Sequence, residues 1–124
     1  MALLDRNATV ADLKALSARV TAEHEWEQLH SPKELAIAVV TEAAELLQHF
    51  RFKTNDEIES FLEKRQNRTA VQDEISDVLF VVLRLSAQMH FDLSAAFERK
   101  LKKMARPYPI NRRRAKSLKF NDRR

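Results

Sequence analysis

Four carboxylates carry the first chemical signal in this chain. Glu42 and Glu45 sit three residues apart in "LAIAVVTEAAELLQHFRFK" (35–53), and Glu74 and Asp77 repeat the spacing ahead of "VLFVVLRL". On a 3.6-residue wheel Leu35, Ala38, Val39, Glu42, Leu46 and His49 share one face, with Glu45 at its edge. Residues three apart lie on neighbouring turns, so each acidic pair can converge on one point. The second run is apolar almost all round, which predicts a buried helix. Two carboxylates about 5 Å apart repel by roughly 3 kcal/mol at an effective dielectric near 20. Four of them on two buried helical faces therefore call for a cation, and oxygen-only ligands suit a hard one, Mg2+ or Mn2+.

The competing use of paired carboxylates on bundle helices is a di-iron centre, which takes a Glu-x-x-His motif from each of two helices. Here His49 follows Glu45 by four, and no His follows Glu74 or Asp77 by three. That chemistry is disfavoured. His24 and His30 read as polar helix-end residues. A solvated acidic face laced with ion pairs is the plain alternative to a metal site, and the apolar neighbours of both pairs argue against it.

The elements that must position these groups are helical. Among 124 residues there is no Gly, and the Pro residues are Pro32, Pro107 and Pro109. Strand-period alternation is nowhere sustained, so the fold class is all-α. Thr9, with Asp12 three residues on, predicts the capped start of a helix running to about Leu29. Ser31, Pro32 and Glu34 predict the start of a second helix reaching about Phe52. Asn55 is the predicted cap of a short amphipathic piece with Ile58, Phe61 and Leu62. "EKRQNR" reads as a solvated turn, Thr69 as the start of a long helix to about Met89, and Asp92 as the cap of a last helix ending before Pro107. Four main helices and one short one, joined by short connections, predict an antiparallel bundle. The stretch Val78 to Leu85 has more apolar face than one small bundle covers, which predicts a homo-oligomer.

Cysteine is absent, which excludes a disulfide framework, a thiolate zinc site and a cysteine nucleophile. No apolar run reaches the length of a membrane span and no signal-peptide pattern opens the chain, so a cytoplasmic protein without a membrane partner is expected. The net charge of +4 is unevenly placed. Residues 111–124 carry seven basic side chains and one acidic, net +6, whereas residues 1–110 carry fifteen basic and seventeen acidic, net −2. The expected organisation is a mildly acidic domain over 1–110 and a flexible basic tail over 111–124. A generally basic, nucleic-acid-binding body is not supported. The tail supports only weak, salt-sensitive contact with nucleic acid or an acidic partner. Trp26, the single Trp, is either a core anchor at the end of its helix or a stacking surface for a ligand.

Taken together, "EWEQLHSPKELAIAV", "EAAEL" followed by F-x-K, "DEISDVL" and "YPI" resemble the all-α nucleoside triphosphate pyrophosphohydrolases. More narrowly, they are similar to the small MazG-like group that includes the dCTP pyrophosphatases. The resemblance spans roughly residues 9–110. It implies Mg2+-dependent hydrolysis of an NTP or dNTP, dCTP-like by preference, to the monophosphate and pyrophosphate, in a dimer or tetramer. It also implies that Glu42, Glu45, Glu74 and Asp77 are metal ligands, with Glu45 as the water-activating catalytic residue. Trp26 and Phe52 would line the base, the latter where relatives often carry a second Trp, and Lys53 follows it as in the family. Near the C-terminus Lys100 and Tyr108-Pro109 match, while Met104 stands at the family's Asn and Pro107 at its Arg. Lys100, Lys103 and Arg106 are then the candidates for a phosphate clamp, and a solvated basic helix end that complements the dipole accounts for them as well. Val81 stands where some dCTP-type members carry Tyr. From another class, a non-catalytic nucleotide- or metal-binding helical module fits the same residues.

Overall fold

The computed structural model describes residues 2–106, and every described element is helical. Five α-helices and one 3-10 turn follow in order. They are α1 (Val10–Glu23), the 3-10 turn Glu27–Leu29, α2 (Pro32–Gln48), α3 (Asn55–Glu63), α4 (Arg65–Gln88) and α5 (Leu93–Ala105). Residues up to Phe91 form one compact unit, and α5 belongs to a second. No single described helix is long and apolar enough to cross a membrane.

In the first unit α4 is the central helix, with α1, α2 and α3 all packed on it. His49 at the end of α2 meets Glu74 early in α4, and His30 just before α2 meets Arg84 late in α4, so the two helices run antiparallel. The α1 helix also runs opposite to α4, because Lys14 donates to the Phe91 carbonyl while Val20 lies beside Phe80 and Val81. Leu35, Val71, Val81 and Leu83 form the buried apolar core. Ser17 and Thr21 on α1 and Ser86 on α4 are buried as well. Each hydroxyl donates to a carbonyl of its own helix, so burial leaves no donor unpaired and the small side chains take little room.

The start signals act as their chemistry dictates. Thr9 and Asp12 form a reciprocal capping box, Ser31 Oγ accepts from the Glu34 N–H behind Pro32, and Asp92 accepts from the Ala95 N–H. Four boundaries differ from expectation. The first helix stops at Glu23, and α2 stops at Gln48, with a turn over residues 49–52. Thr54, not Asn55, caps α3, because its hydroxyl and Glu57 satisfy one another's backbone N–H. The long helix α4 begins at Arg65, not Thr69. Only Lys64 leaves helical geometry there, since Asn67 and Arg68 cover the Phe61 and Leu62 carbonyls at the end of α3.

These ends are made without glycine. Glu25, Phe52 and His90 occupy the left-handed region at φ 56°, 63° and 56°. After α1, Glu25 N–H reaches the Ala22 carbonyl and Trp26 N–H the Thr21 carbonyl; His90 and Phe91 repeat the pattern on Ala87 and Ser86. Both are Schellman closures, normally built on Gly because a Cβ there costs about 1–2 kcal/mol. Substituting His90→Gly should stabilise the chain by about 0.5–1 kcal/mol after the extra unfolded-state entropy of Gly is subtracted. Chemical denaturation that shows no gain at His90 would contradict this account of the helix end.

Candidate active site

The antiparallel register of α2 and α4 brings the two acidic pairs face to face. Glu42, Glu45, Glu74 and Asp77 each offer a carboxylate oxygen, and all these atoms lie within 4.8 Å of one another. The wheel drawn from the sequence holds: Leu35 is buried, Ala38, Val39, Glu42, Leu46 and His49 are half-buried, and Glu45 lies exposed at the edge. Full burial of the acids does not. Glu42 and Glu74 are half-buried while Glu45 and Asp77 are open, because Glu42, Glu45 and Asp77 line a cleft and not the core.

The electrostatics of the cluster are those of crowded anions. Burial first, then a hydrogen bond shared with Glu45 and the charges of Glu45, Asp77 and Glu74, hold the Glu42 carboxyl above its ordinary value of 4.5. Glu74 Oε1 lies 3.8 Å from His49 Nε2, and its Oε2 is buried with no hydrogen-bond partner. A buried carboxylate oxygen without a donor, on a residue grouped with three other carboxylates, fits a hard divalent cation held by oxygen. The donor set has no thiolate and gathers no imidazole beside His49, so it does not select a softer metal.

The cleft, about 610 Å³, is lined by Glu42, Glu45 and Asp77 together with Trp26, His30 and Phe80. Trp26 is 39% exposed and stacks on His24, with ring centroids 4.6 Å apart. It is therefore a wall of the cleft and not a core anchor. Its place follows from the early end of α1, whose left-handed Glu25 turns the chain so that Trp26 faces the acids' cavity. Val81 lines the cleft too.

Other predicted site residues lie elsewhere. Phe52 is 91% exposed at its left-handed turn, with the Arg51 guanidinium 4.5 Å from its ring. Lys53 donates to the His49 carbonyl at the end of α2 and sits 4.9 Å over the Phe61 ring, a contact that ties the turn to α3. On α5, Lys103 and Arg106 share a groove with Arg99 and Lys102, Lys102 being paired to Glu98, and Lys100 lies outside that set. Tyr108 and the tail 111–124 fall outside the described residues. Three residues beside the site escaped the sequence reading: His30, Phe80 and Arg84. Only Arg84 left a signal, as the lone charge in "VLFVVLRL".

The raised Glu42 pKa has a signed consequence. A carboxyl held above its unfolded value contributes stability that is fully present below that value and is lost as pH rises through the folded one. Metal-free melts between about pH 4 and pH 8 should therefore show Glu42→Gln gaining on the parent chain as the pH rises, and overtaking it on the alkaline side. The same substitution should remove the thermal stabilisation given by added Mg2+ or Mn2+. A variant that still gains stability from the metal would displace Glu42 from the ligand set.

Comparison with known proteins places this geometry. A family model described as the MazG-like family matches residues 37–122. The dCTP pyrophosphatase 1 of Rattus norvegicus is 35% identical over 114 residues, covering 92% of this chain and 67% of the relative. The Homo sapiens protein of the same name is 36% identical over the same shares. Among solved structures, a pyrophosphatase from Archaeoglobus fulgidus shares 30% identity at a TM-score of 0.74, over 88% of this chain and 100% of its own. The all-α fold, the opposed acidic pairs and these matches agree: the chain belongs to the MazG-like family.

Proposed function

We propose that this MazG-like enzyme, a nucleoside triphosphate pyrophosphohydrolase, uses Mg2+ to convert dCTP or a closely related nucleotide to its monophosphate and pyrophosphate. The observation that carries the reading is the set of four carboxylates within 4.8 Å of one another, three of which line a cleft shared with Trp26, His30 and Phe80. A polyphosphate is repelled by bare acids, so the cluster suits such a substrate only with a cation between them. Bound by Glu42, Glu45, Glu74 and Asp77, Mg2+ would supply charge neutralisation for the phosphate oxygens and orientation for water. The dCTP-like preference rests on the relatives named for dCTP.

The protein's own groups then divide the work. Glu45, exposed at the rim, is the carboxylate that takes the proton from the water attacking the α-phosphorus. Attack there makes pyrophosphate the leaving group. Trp26 gives the base a face to stack on, its position in the cleft supporting that role. Phe52 and Lys53 stand outside the cleft of one chain, and a base-lining part for Phe52 requires a partner. Lys103 and Arg106, with Lys100 and Tyr108, are the family-implied phosphate contacts.

Assembly as a homo-oligomer belongs to the same proposal. Ile37, Val40, Ala44 and Leu47 make an exposed apolar stripe on α2, and Ile75 and Leu79 another on α4, with Val40 70% exposed. Apolar stripes of this kind on a chain this small fit a subunit contact.

Pyrophosphate release from a panel of NTPs and dNTPs, with and without Mg2+, tests the activity. Release should need the metal and favour dCTP, and Glu45→Ala or Asp77→Ala should lower kcat at least ~100-fold with the helical circular dichroism unchanged. Turnover retained in both variants would remove the cluster from the reaction. Light scattering should give a dimer or tetramer, and Val40→Lys a smaller species.

A further inference from the structure

We propose that His30 is the hydrogen-bond donor that reads the nucleobase in this cleft, and that Arg84 is the positioning residue that fixes it as a donor. The inference rests on nucleotide hydrolysis at the acidic cluster and adds which edge of the base is recognised.

Arg84 lies seven residues beyond Asp77 on α4, is 7% exposed, and pairs with no carboxylate among the described residues. A guanidinium buried in an apolar helix without a counter-charge costs stability unless its donors are used. The use made of it here is a bond from Nε–H to His30 Nδ1, at 3.2 Å. Arginine donates and never accepts, so Nδ1 must be the unprotonated nitrogen of that ring. The neutral imidazole therefore carries its proton on Nε2. Burial first, and the Arg84 charge second, lower the His30 pKa and keep the ring neutral at pH 7. Phe80 packs edge-on to the ring at 6.1 Å and limits its rotation.

What remains is an Nε2–H, with no partner among the described residues, on a ring that lines the cleft beside Trp26. A fixed donor recognises an acceptor. Cytosine presents two adjacent acceptors, O2 and N3, on its pairing edge, whereas uracil and thymine carry a proton on N3. A donor set against N3 accepts the first and opposes the others, and a buried polar mismatch of this kind discriminates strongly. Arg84 acts through His30: without it the proton can move to Nδ1, and Nε2 becomes an acceptor for the N3–H of uracil.

Two measurements on the full chain test this. Long-range 1H–15N correlations of the ligand-free protein above pH 7 should show His30 protonated on Nε2, and Arg84→Met should give a mixture of tautomers. With Mg2+, the parent chain should prefer dCTP to dUTP. Arg84→Met should lower the ratio of kcat/KM between the two by ~10-fold or more, chiefly through KM, and Arg84→Lys, which keeps a donor for Nδ1, should restore most of it. Should Arg84→Met fail to fold, His30→Gln, whose amide both donates and accepts, should lower the ratio in the same way. A parent His30 protonated on Nδ1, a preference for dUTP, or an unchanged ratio in a folded variant of a chain that hydrolyses nucleotides would overturn the proposal alone. No turnover of any nucleotide, with Nε2–H intact, would overturn the nucleotide reading and the base-reading role with it.

Discussion

Mutual repulsion among four carboxylates is the constraint around which the first unit is built. Helices α2 and α4 hold Glu42, Glu45, Glu74 and Asp77 within 4.8 Å of one another, and the strain is visible in the raised Glu42 pKa and the unpartnered Glu74 Oε2. Nothing in the acids favours this approach. It is imposed by the apolar contacts that flank them, with Leu35 on α2 and Val71, Val81 and Leu83 on α4 buried on either side. Burial of a large aliphatic side chain contributes about 1.5–3 kcal/mol, enough for a few such residues to offset a crowded anion cluster until a cation neutralises it.

The chain ends its helices without the residue best suited to ending them. Glu25, Phe52 and His90 stand at left-handed positions that a Gly would fill with less strain. Each of the three positions adjoins a residue held by a specific contact, and the first adjoins a wall of the cleft. Glu25 precedes Trp26, Phe52 precedes Lys53 with its tie to the end of α2, and His90 precedes Phe91, whose carbonyl receives Lys14. Sharp, over-determined closures fix where the next residue points, and that matters more to a cleft wall than the cost of a Cβ.

Arg84 shows the same preference for placement over stability. Most buried arginines are matched by a carboxylate; this one meets the neutral nitrogen of His30. A leucine there would pack the α4 core at lower cost, but it would leave the histidine free to choose its tautomer. Under the proposed function Trp26 would offer any base a face to stack on, so base discrimination would fall to a polar group of defined polarity. The pairing of Arg84 with His30 would provide one.

Much of this protein follows from local sequence. The absence of Gly, the caps at Thr9, Ser31 and Asp92, and the spacing of the two acidic pairs act over a few residues, so those three helix starts and the two halves of the cluster are legible in the chain itself. Helix ends are not, because Glu25 and Phe52 do not announce a left-handed conformation that Gly would have announced. The register between α2 and α4 is a tertiary matter as well: it joins residues 42 and 77, and it decides that Glu45 and Asp77 face solvent while Glu42 and Glu74 turn inward. In the same way only packing could bring Arg84 to His30, 54 positions earlier, and turn an apparent helix-end histidine into a group with one defined donor. Sequence alone determined which side chains have atoms fit for chemistry, since that depends on residue type. Tertiary structure decided which of them meet, since burial and register are set by contacts between segments far apart in the chain.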